Sequence, residues 1–190
     1  MDKINAAIEL ATQAHNGQRR KLSGEPYILH PMEVAVIVAR MGGDEDAITA
    51  GLLHDVVEDC GVSLETVREK FGDRVAELVA GETEDKRRDR SPQSTWKIRK
   101  VESLAHLSQT VDPDVRLLWL ADKLSNLRSI LRVWEQRGDI VWDAFNEKNK
   151  TEHQWYYDTI AVLLKPYFGG TAAFLEYVQI TQILFGGKKL

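Results

Sequence analysis

The sequence predicts an all-α protein of about eight to ten helices, and three observations support this fold class. Apolar residues recur at helical spacing, as at Ile4, Ala7, Ile8 and Ala11. The alternation of polar and apolar residues that marks half-buried strands is nearly absent. Residues suited to cap a helix, such as Ser63, stand before several of the periodic segments.

Breaks in this spacing divide the first half of the chain into five helices. A basic loop, NGQRRKLSGEP, follows the first helix because two glycines and a proline interrupt the pattern. The second helix tolerates Pro31 in its first turn, where a missing N–H costs no hydrogen bond. The sequence GGD then stops that helix and offers Asp44 as the cap of the third. The predicted segments are 3–15, 30–41, 45–59, one opened by Ser63 and a short one started by Asp73.

The second half of the chain begins with a polar, charge-dense stretch over 81–95, which we interpret as a surface loop. Asp112 and Pro113 then open a long helix, because both residue types suit a helix start. We expect one domain over 1–190, with 170–190 as a terminal helix. The predicted helices after the loop are 96–108, 113–136, 150–165 and 171–185.

Composition narrows the class of protein. The 190 residues are 43% hydrophobic and 28% charged, which is ordinary for a soluble protein with a packed core. A formal net charge of −4 does not favour nucleic acid as a partner. With one cysteine, no intramolecular disulfide forms, and no apolar run is long enough to span a membrane. We therefore expect a cytoplasmic protein with a small-molecule partner; composition does not predict its oligomeric state.

The segment GLLHDVVEDC, residues 51–60, carries an unusual cluster of polar groups. At about 100° per residue, with His54 at zero, Glu58 falls near 40°, Asp55 near 100° and Asp59 near 140°. Leu53 and its apolar neighbours occupy the rest of the circumference. A solvated helix face would also give this pattern, but such faces usually include lysine or arginine. Three acids without a basic residue repel one another unless a cation lies among them.

Two further residues could complete a metal site. His30 stands at the start of a helix, where its side chain can project into a cleft or can simply cap the helix or pack in the core. Asp122 lies in LLWLADKLSNL, an apolar helix in which a buried acid needs a salt bridge or a metal ion. Imidazole and carboxylate ligands together suit a divalent transition metal.

Three sequence blocks carry a further signal: AHNGQRRKLSGEPYILHP, AGLLHDVVEDC and LADKLSNLRSI. They resemble the HD metal-dependent phosphohydrolases, and within them the RelA/SpoT-type alarmone hydrolases. They occur in the order of that branch, and the resemblance covers roughly residues 1–135. It implies an HD-domain helical bundle and an enzyme of the stringent response. Because the chain has no room for a synthetase domain, we expect a hydrolase-only protein.

The resemblance also implies a division of roles. One Mn²⁺ ion would be held by His30, His54, Asp55 and Asp122. Glu58 and Asp59 would correspond to the catalytic acid pair, without a distinction between them. A metal-activated water would attack the 3′-pyrophosphate of (p)ppGpp and release pyrophosphate.

The substrate contacts are expected on the same basis. Arg20 and Lys21 match the basic pair that contacts the nucleotide, although a solvated loop is the alternative. Asn126 lies one turn after Asp122, and the basic residues near 99 approximate a position close to the phosphates. The expected set is Arg20, Lys21, Ser23, Tyr27, Arg99, Lys100, Asn126, Lys148 and Tyr156.

The chain departs from the branch at two places. Trp119 stands where the alarmone hydrolases usually have a lysine, so a contact at the helix that carries Asp122 is altered and the arrangement of the phosphates stays open. The segment RGDIVWDAFNEKNKTEHQWYY is rich in aromatic residues. These residues are expected to pack as core or, at Tyr156 or Tyr157, to touch a purine or ribose.

Other functions stay open at this point. The same site could act on (p)ppApp or on the 2′-phosphate of NADPH. The chain could also be a non-catalytic nucleotide-binding regulatory module. The presence of every expected ligand and of both acids argues against that last alternative.

Overall fold

The computed structural model describes residues 2–87 and 89–186. Within these residues the chain forms nine α-helices and one 3-10 helix, and its β structure is limited to one isolated bridge between Arg19 and Pro26. The predicted all-α class is confirmed. The helices are α1 Lys3–Ala14, α2 Leu29–Arg40, α3 Glu45–Cys60, α4 Leu64–Phe71, α5 Asp73–Glu82, α6 Pro92–Gln109, α7 Pro113–Arg137, the 3-10 helix Gly138–Ala144, α8 Lys150–Phe168 and α9 Ala172–Phe185.

Side-chain caps define several of these helix starts. Asp44 accepts a hydrogen bond from the backbone N–H of Ala47 at 2.8 Å, and Ser63 accepts one from Thr66 at 3.1 Å. Each bond satisfies one of the N–H groups that a helix leaves without an internal partner. The starts of α3 and α4 were therefore predicted from the correct residues.

The predicted loop over 81–95 is wrong at both ends. Helix α5 continues to Glu82, and α6 begins at Pro92. The hydroxyl of Ser91 accepts the N–H of Ser94 at 3.3 Å, and a proline at the first helical position costs no hydrogen bond. The charged composition of this stretch concealed its helix start signal.

Two further boundaries differ from the sequence prediction. The 3-10 helix Gly138–Ala144 was not predicted, and it follows directly on the end of α7. The terminal helix expected over 170–190 is Ala172–Phe185, capped by the hydroxyl of Thr171. Residues 187–190 of that prediction lie outside the described residues.

The chain divides into two compact units. The first contains the described residues up to Arg20, then Gly24–Glu84 and Val111–Asp122. The second contains Lys21–Ser23 and the described residues of 85–110 and 123–186. The expectation of one domain stays a prediction.

Helix α3 lies at the centre of the first unit and packs against α1, α2 and α5. Leu53 and Val56 of α3 are fully buried, as is Val34 of α2. Gly51 allows a close approach of α2, because a Cβ at Gly51 would lie 3.3 Å from the Cα of Ala35. This approach sets the distance between the polar groups that α2 and α3 carry.

The second unit has an aromatic core between α6, α8 and α9. Trp142 and Tyr157 are almost entirely buried, and both rings contact Phe185. The expectation that the aromatic segment packs as core is confirmed for these residues. In the part of the chain that the structure describes, we find no helix with the length and apolar character needed to cross a membrane.

Candidate metal centre

Two histidine rings meet inside the first unit. His30 in the first turn of α2 and His54 in the middle of α3 are both buried. Their Nε2 atoms are 3.3 Å apart, and the rings meet edge to face. Two imidazole nitrogens therefore point at the same small volume.

Two carboxylates reach the same place. Asp122 Oδ1, from the first unit's part of α7, lies 3.0 Å from His30 Nε2 and 3.7 Å from His54 Nε2. Asp55 Oδ2 lies 3.1 Å from His54 Nε2 and 3.5 Å from His30 Nε2. His30, His54 and Asp122 offer donor atoms that all lie within 4.8 Å of one another. The structure thus brings together all four residues that the sequence singled out as ligands.

The other nitrogen of His54 fixes the direction of its ring. Nδ1 lies 2.9 Å from the backbone oxygen of Gly51, one turn earlier in α3. A hydrogen bond donated by Nδ1–H to this oxygen leaves Nε2 directed at the cluster. An outer hydrogen bond of this kind commonly orients histidine ligands in metal sites.

The protonation of the cluster reflects burial and close opposite charges. Burial disfavours the imidazolium of His54, but Asp55 and Asp122 outweigh it and hold the pKa of His54 well above its usual value. Burial also disfavours the Asp55 carboxylate, yet His54 and His30 hold its pKa well below the usual range. At His30, burial lowers the pKa by more than the neighbouring Asp122 carboxylate raises it, so the pKa of His30 lies below its usual value. The two imidazoles and two carboxylates of the cluster form a donor set that a divalent cation fits.

Tyr27 contacts the cluster from the loop before α2. Its hydroxyl donates a hydrogen bond to Asp55 Oδ2 at 2.7 Å. Burial and the Asp55 charge raise the pKa of Tyr27 far above its usual value, so the hydroxyl stays a donor. Tyr27 was predicted as a substrate contact, which stays a prediction; its contact with a metal-ligand candidate was not foreseen.

The predicted acid pair lies one turn beyond Asp55 on α3. Glu58 and Asp59 are both partly exposed. Glu58 Oε2 accepts a hydrogen bond from the backbone N–H of Glu84 at 2.9 Å. Sequence reasoning missed Glu84, because a backbone N–H leaves no signature in the side-chain pattern.

The basic loop before α2 places Arg20 near Tyr27. The guanidinium carbon of Arg20 lies 5.5 Å from the centroid of the Tyr27 ring. The backbone N–H of Arg20 donates to the oxygen of Glu25 at 2.9 Å, which closes the loop on itself. Lys21 and Ser23, predicted to act with Arg20, are exposed.

The remaining predicted substrate residues belong to the second unit. Arg99 is buried on α6, whereas Lys148 is exposed and Asn126 is half-buried. The ammonium of Lys100 lies 4.9 Å from the centroid of the Tyr156 ring, so these two predicted contacts are neighbours. Their roles toward a substrate stay predictions.

Trp119 packs in the core of the first unit. It is 2% exposed, and its Nε1–H donates to the backbone oxygen of Gly81 at 3.2 Å. The indole therefore joins α7 to α5. This hydrogen bond gives the residue that replaces the expected lysine a structural role.

The chain is similar to a known protein family and to several relatives. Residues 7–146 match the family described as HD domain. A guanosine-3′,5′-bis(diphosphate) 3′-pyrophosphohydrolase of Aquifex aeolicus is 40% identical over 68% of this chain and 18% of its own length. A GTP pyrophosphokinase of Streptomyces coelicolor is 41% identical over 67% of this chain and 15% of its own length. The chain thus spans less than a fifth of either relative.

Two solved structures match most of this chain and nearly all of their own length. One comes from work describing a metazoan ortholog of SpoT that hydrolyses ppGpp. It has a TM-score of 0.75 and 28% identity, and the match covers 96% of both chains. The second, lmo0812 from Listeria monocytogenes, has a TM-score of 0.70 and 34% identity, covering 87% of this chain and 99% of the other.

Proposed function

Because the chain belongs to the HD-domain family, in its RelA/SpoT-type branch, we propose that it is a metal-dependent phosphohydrolase acting on (p)ppGpp. The reaction adds water to the 3′-pyrophosphate and releases pyrophosphate with GDP or GTP. The convergence of His30, His54, Asp55 and Asp122 in one buried cluster is the observation that carries this proposal.

These four side chains would hold one divalent ion, with Mn²⁺ as the proposed species. Two imidazoles and two carboxylates form a donor set of intermediate hardness, which Mn²⁺ accepts. When bound, the ion would polarise a phosphate oxygen and make a water more acidic. The hydrogen bond from His54 to Gly51 and the one from Tyr27 to Asp55 would keep two of the ligands in place.

Glu58 and Asp59 would act on the attacking water. Both stand one turn beyond Asp55 and are partly exposed, so a water and a substrate can reach them. A carboxylate in hydrogen-bond reach of the water would orient it and accept its proton as the new P–O bond forms. The leaving ribose oxygen then takes a proton as the old bond breaks.

Arg20 would bind the charged groups of the nucleotide. A guanidinium can form two parallel hydrogen bonds with a phosphate, and Arg20 lies close to Tyr27 beside the cluster. The remaining candidates rest on the family resemblance and would also contact the nucleotide, with Tyr156 at its purine or ribose. They are Lys21, Ser23, Tyr27, Arg99, Lys100, Asn126, Lys148 and Tyr156.

The experiment incubates the purified protein and Mn²⁺ with ppGpp, ppApp or NADPH and measures released pyrophosphate and phosphate. We expect ppGpp to give GDP and pyrophosphate, and turnover to stop when a chelator removes the ion. The Asp122→Asn variant, assayed at the same Mn²⁺ concentration, serves as the matched control with reduced turnover. Preferential hydrolysis of ppApp or NADPH would overturn the guanosine assignment. Bound Mn²⁺ without hydrolysis of any of the three would favour a nucleotide-binding module.

A further inference from the structure

Tyr27 makes three contacts within the first unit that join separate parts of the proposed site. Its hydroxyl donates to Asp55 Oδ2 at 2.7 Å. Its ring stacks on the imidazole of His15, with 4.8 Å between centroids and 30° between planes. The guanidinium carbon of Arg20 lies 5.5 Å from the same ring. One side chain therefore touches a ligand candidate, a buried histidine and a substrate-binding candidate.

We propose that Tyr27, held in place by His15, is a positioning residue that orients the Asp55 carboxylate and so sets the affinity of the site for a divalent ion. The inference rests on the proposed function, because it assumes that Asp55 is a ligand. The oxygen that accepts the Tyr27 bond also lies 3.1 Å from His54 Nε2 and 3.5 Å from His30 Nε2. A carboxylate without such a bond rotates about its Cβ–Cγ bond and spends less time in the binding orientation.

The position of Tyr27 is fixed through His15, which is 3% exposed. His15 Nδ1 lies 2.9 Å from Gln18 Oε1 and 3.2 Å from the Sγ of Cys60. Cys60 is the last residue of α3, the helix that also carries Asp55. The contacts run from Asp55 through Tyr27 and His15 to Cys60, so they begin and end on α3. They restrict the Tyr27 ring at both ends.

The test compares Tyr27→Phe with wild-type protein in calorimetric titrations with Mn²⁺ and without nucleotide. We expect the dissociation constant to rise about tenfold, the lower end of the usual effect of losing an outer hydrogen bond in a metal site. Tyr177→Phe is the matched control. It also removes a buried hydroxyl, one that donates to the backbone oxygen of Tyr157 at 2.9 Å, and it should leave Mn²⁺ affinity unchanged. Wild-type affinity in a folded Tyr27→Phe protein would overturn the proposal.

A second pair of variants tests the His15 ring that stacks on Tyr27. This pair also tests the proposal if Tyr27→Phe does not fold. His15→Ala removes the stacking partner and should weaken Mn²⁺ binding severalfold, whereas His15→Phe keeps an aromatic ring and should restore most of the affinity. Unchanged affinity in His15→Ala would overturn the role of the stack.

These titrations separate this proposal from the proposed function. A wild-type protein that binds Mn²⁺ but leaves ppGpp intact would overturn the proposed function, and the affinity comparison would still decide the role of Tyr27. A wild-type protein that binds no divalent ion would overturn both.

Discussion

The carboxylate of Glu58 accepts a hydrogen bond from the backbone N–H of Glu84, with 2.9 Å between Oε2 and N. This bond connects α3 to the segment that follows α5. Because the donor is a backbone group, only a substitution to proline at Glu84 would remove it. One member of the proposed catalytic pair is therefore oriented by the course of the main chain.

The first prediction concerns this acid pair. The double variant Glu58→Gln, Asp59→Asn keeps the shapes of both side chains and removes their negative charge. Turnover should fall by about 10²–10⁴-fold, the usual contribution of general acid–base catalysis. Mn²⁺ affinity should stay within a few-fold of wild type, because neither acid is a proposed ligand. Hydrolysis rates and calorimetric titrations check these two expectations, and undiminished turnover would show that other groups handle the proton.

The second prediction concerns Asp122. Asp122→Asn keeps an oxygen near His30 but removes the charge that complements the cation. Mn²⁺ binding should weaken by at least tenfold, a loss of about 1.4 kcal/mol or more. Raising the Mn²⁺ concentration should restore part of the turnover.

Asp114→Asn is the matched control for that change. It alters an acid on the same helix that pairs with Arg74 instead of the histidines. Mn²⁺ titrations of both variants should separate them clearly. Equal affinities would remove Asp122 from the ligand set.

The third prediction concerns the close approach of α2 and α3. Gly51→Val introduces a Cβ only 3.3 Å from the Cα of Ala35, and that neighbour is backbone that cannot rotate away. The free energy of unfolding should fall by about 1–3 kcal/mol, as expected for an overpacked core. Mn²⁺ binding should weaken as well, because the two helices carry His30 and His54. Chemical denaturation and calorimetry measure the two effects.

Gly170→Val provides the comparison for Gly51→Val. A Cβ at Gly170 meets nothing within 4 Å. The Mn²⁺ affinity of the Gly170→Val variant should equal that of the wild-type protein. If Gly51→Val bound Mn²⁺ as tightly as this control, the spacing of α2 and α3 would not determine the geometry of the site.

The fourth prediction concerns pH and His153 in the second unit. Its ring contacts Trp96, Trp142 and Phe145, and its Nε2–H donates to the backbone oxygen of Glu147 at 2.8 Å. Burial lowers the pKa of His153 below its usual 6.5. As the pH falls, the unfolded chain therefore binds a proton at a higher pH than the folded protein does. The free energy of unfolding consequently decreases as the pH falls below about 6.5.

The His153→Gln variant isolates this contribution. The glutamine amide does not titrate. The free energy of unfolding of the variant should therefore fall less between pH about 7.5 and about 5.5 than that of the wild-type protein. Denaturation curves at both pH values give the comparison. Identical slopes for the two proteins would show that His153 does not contribute to the acid sensitivity.

The sequence by itself determined the local features of the site. The 3.6-residue period of α3 placed His54, Asp55, Glu58 and Asp59 on one arc, because angles within a helix depend on residue spacing alone. Capping residues such as Asp44 determined helix starts for the same local reason. The charge-dense stretch over 81–95 was interpreted wrongly, since average composition outweighed the Ser91–Pro92 start signal.

Tertiary structure decided what lies opposite that arc. Which atoms of His30 and Asp122 face His54 depends on how α2 packs against α3 and on where the first unit's part of α7 lies, and no periodicity within one helix contains that information. The backbone N–H of Glu84 and the hydroxyl of Tyr27 reach the site through loops whose course is set by packing. Helical spacing gives the angle of a side chain about its own axis; only the packed helices determine the distance to its partners.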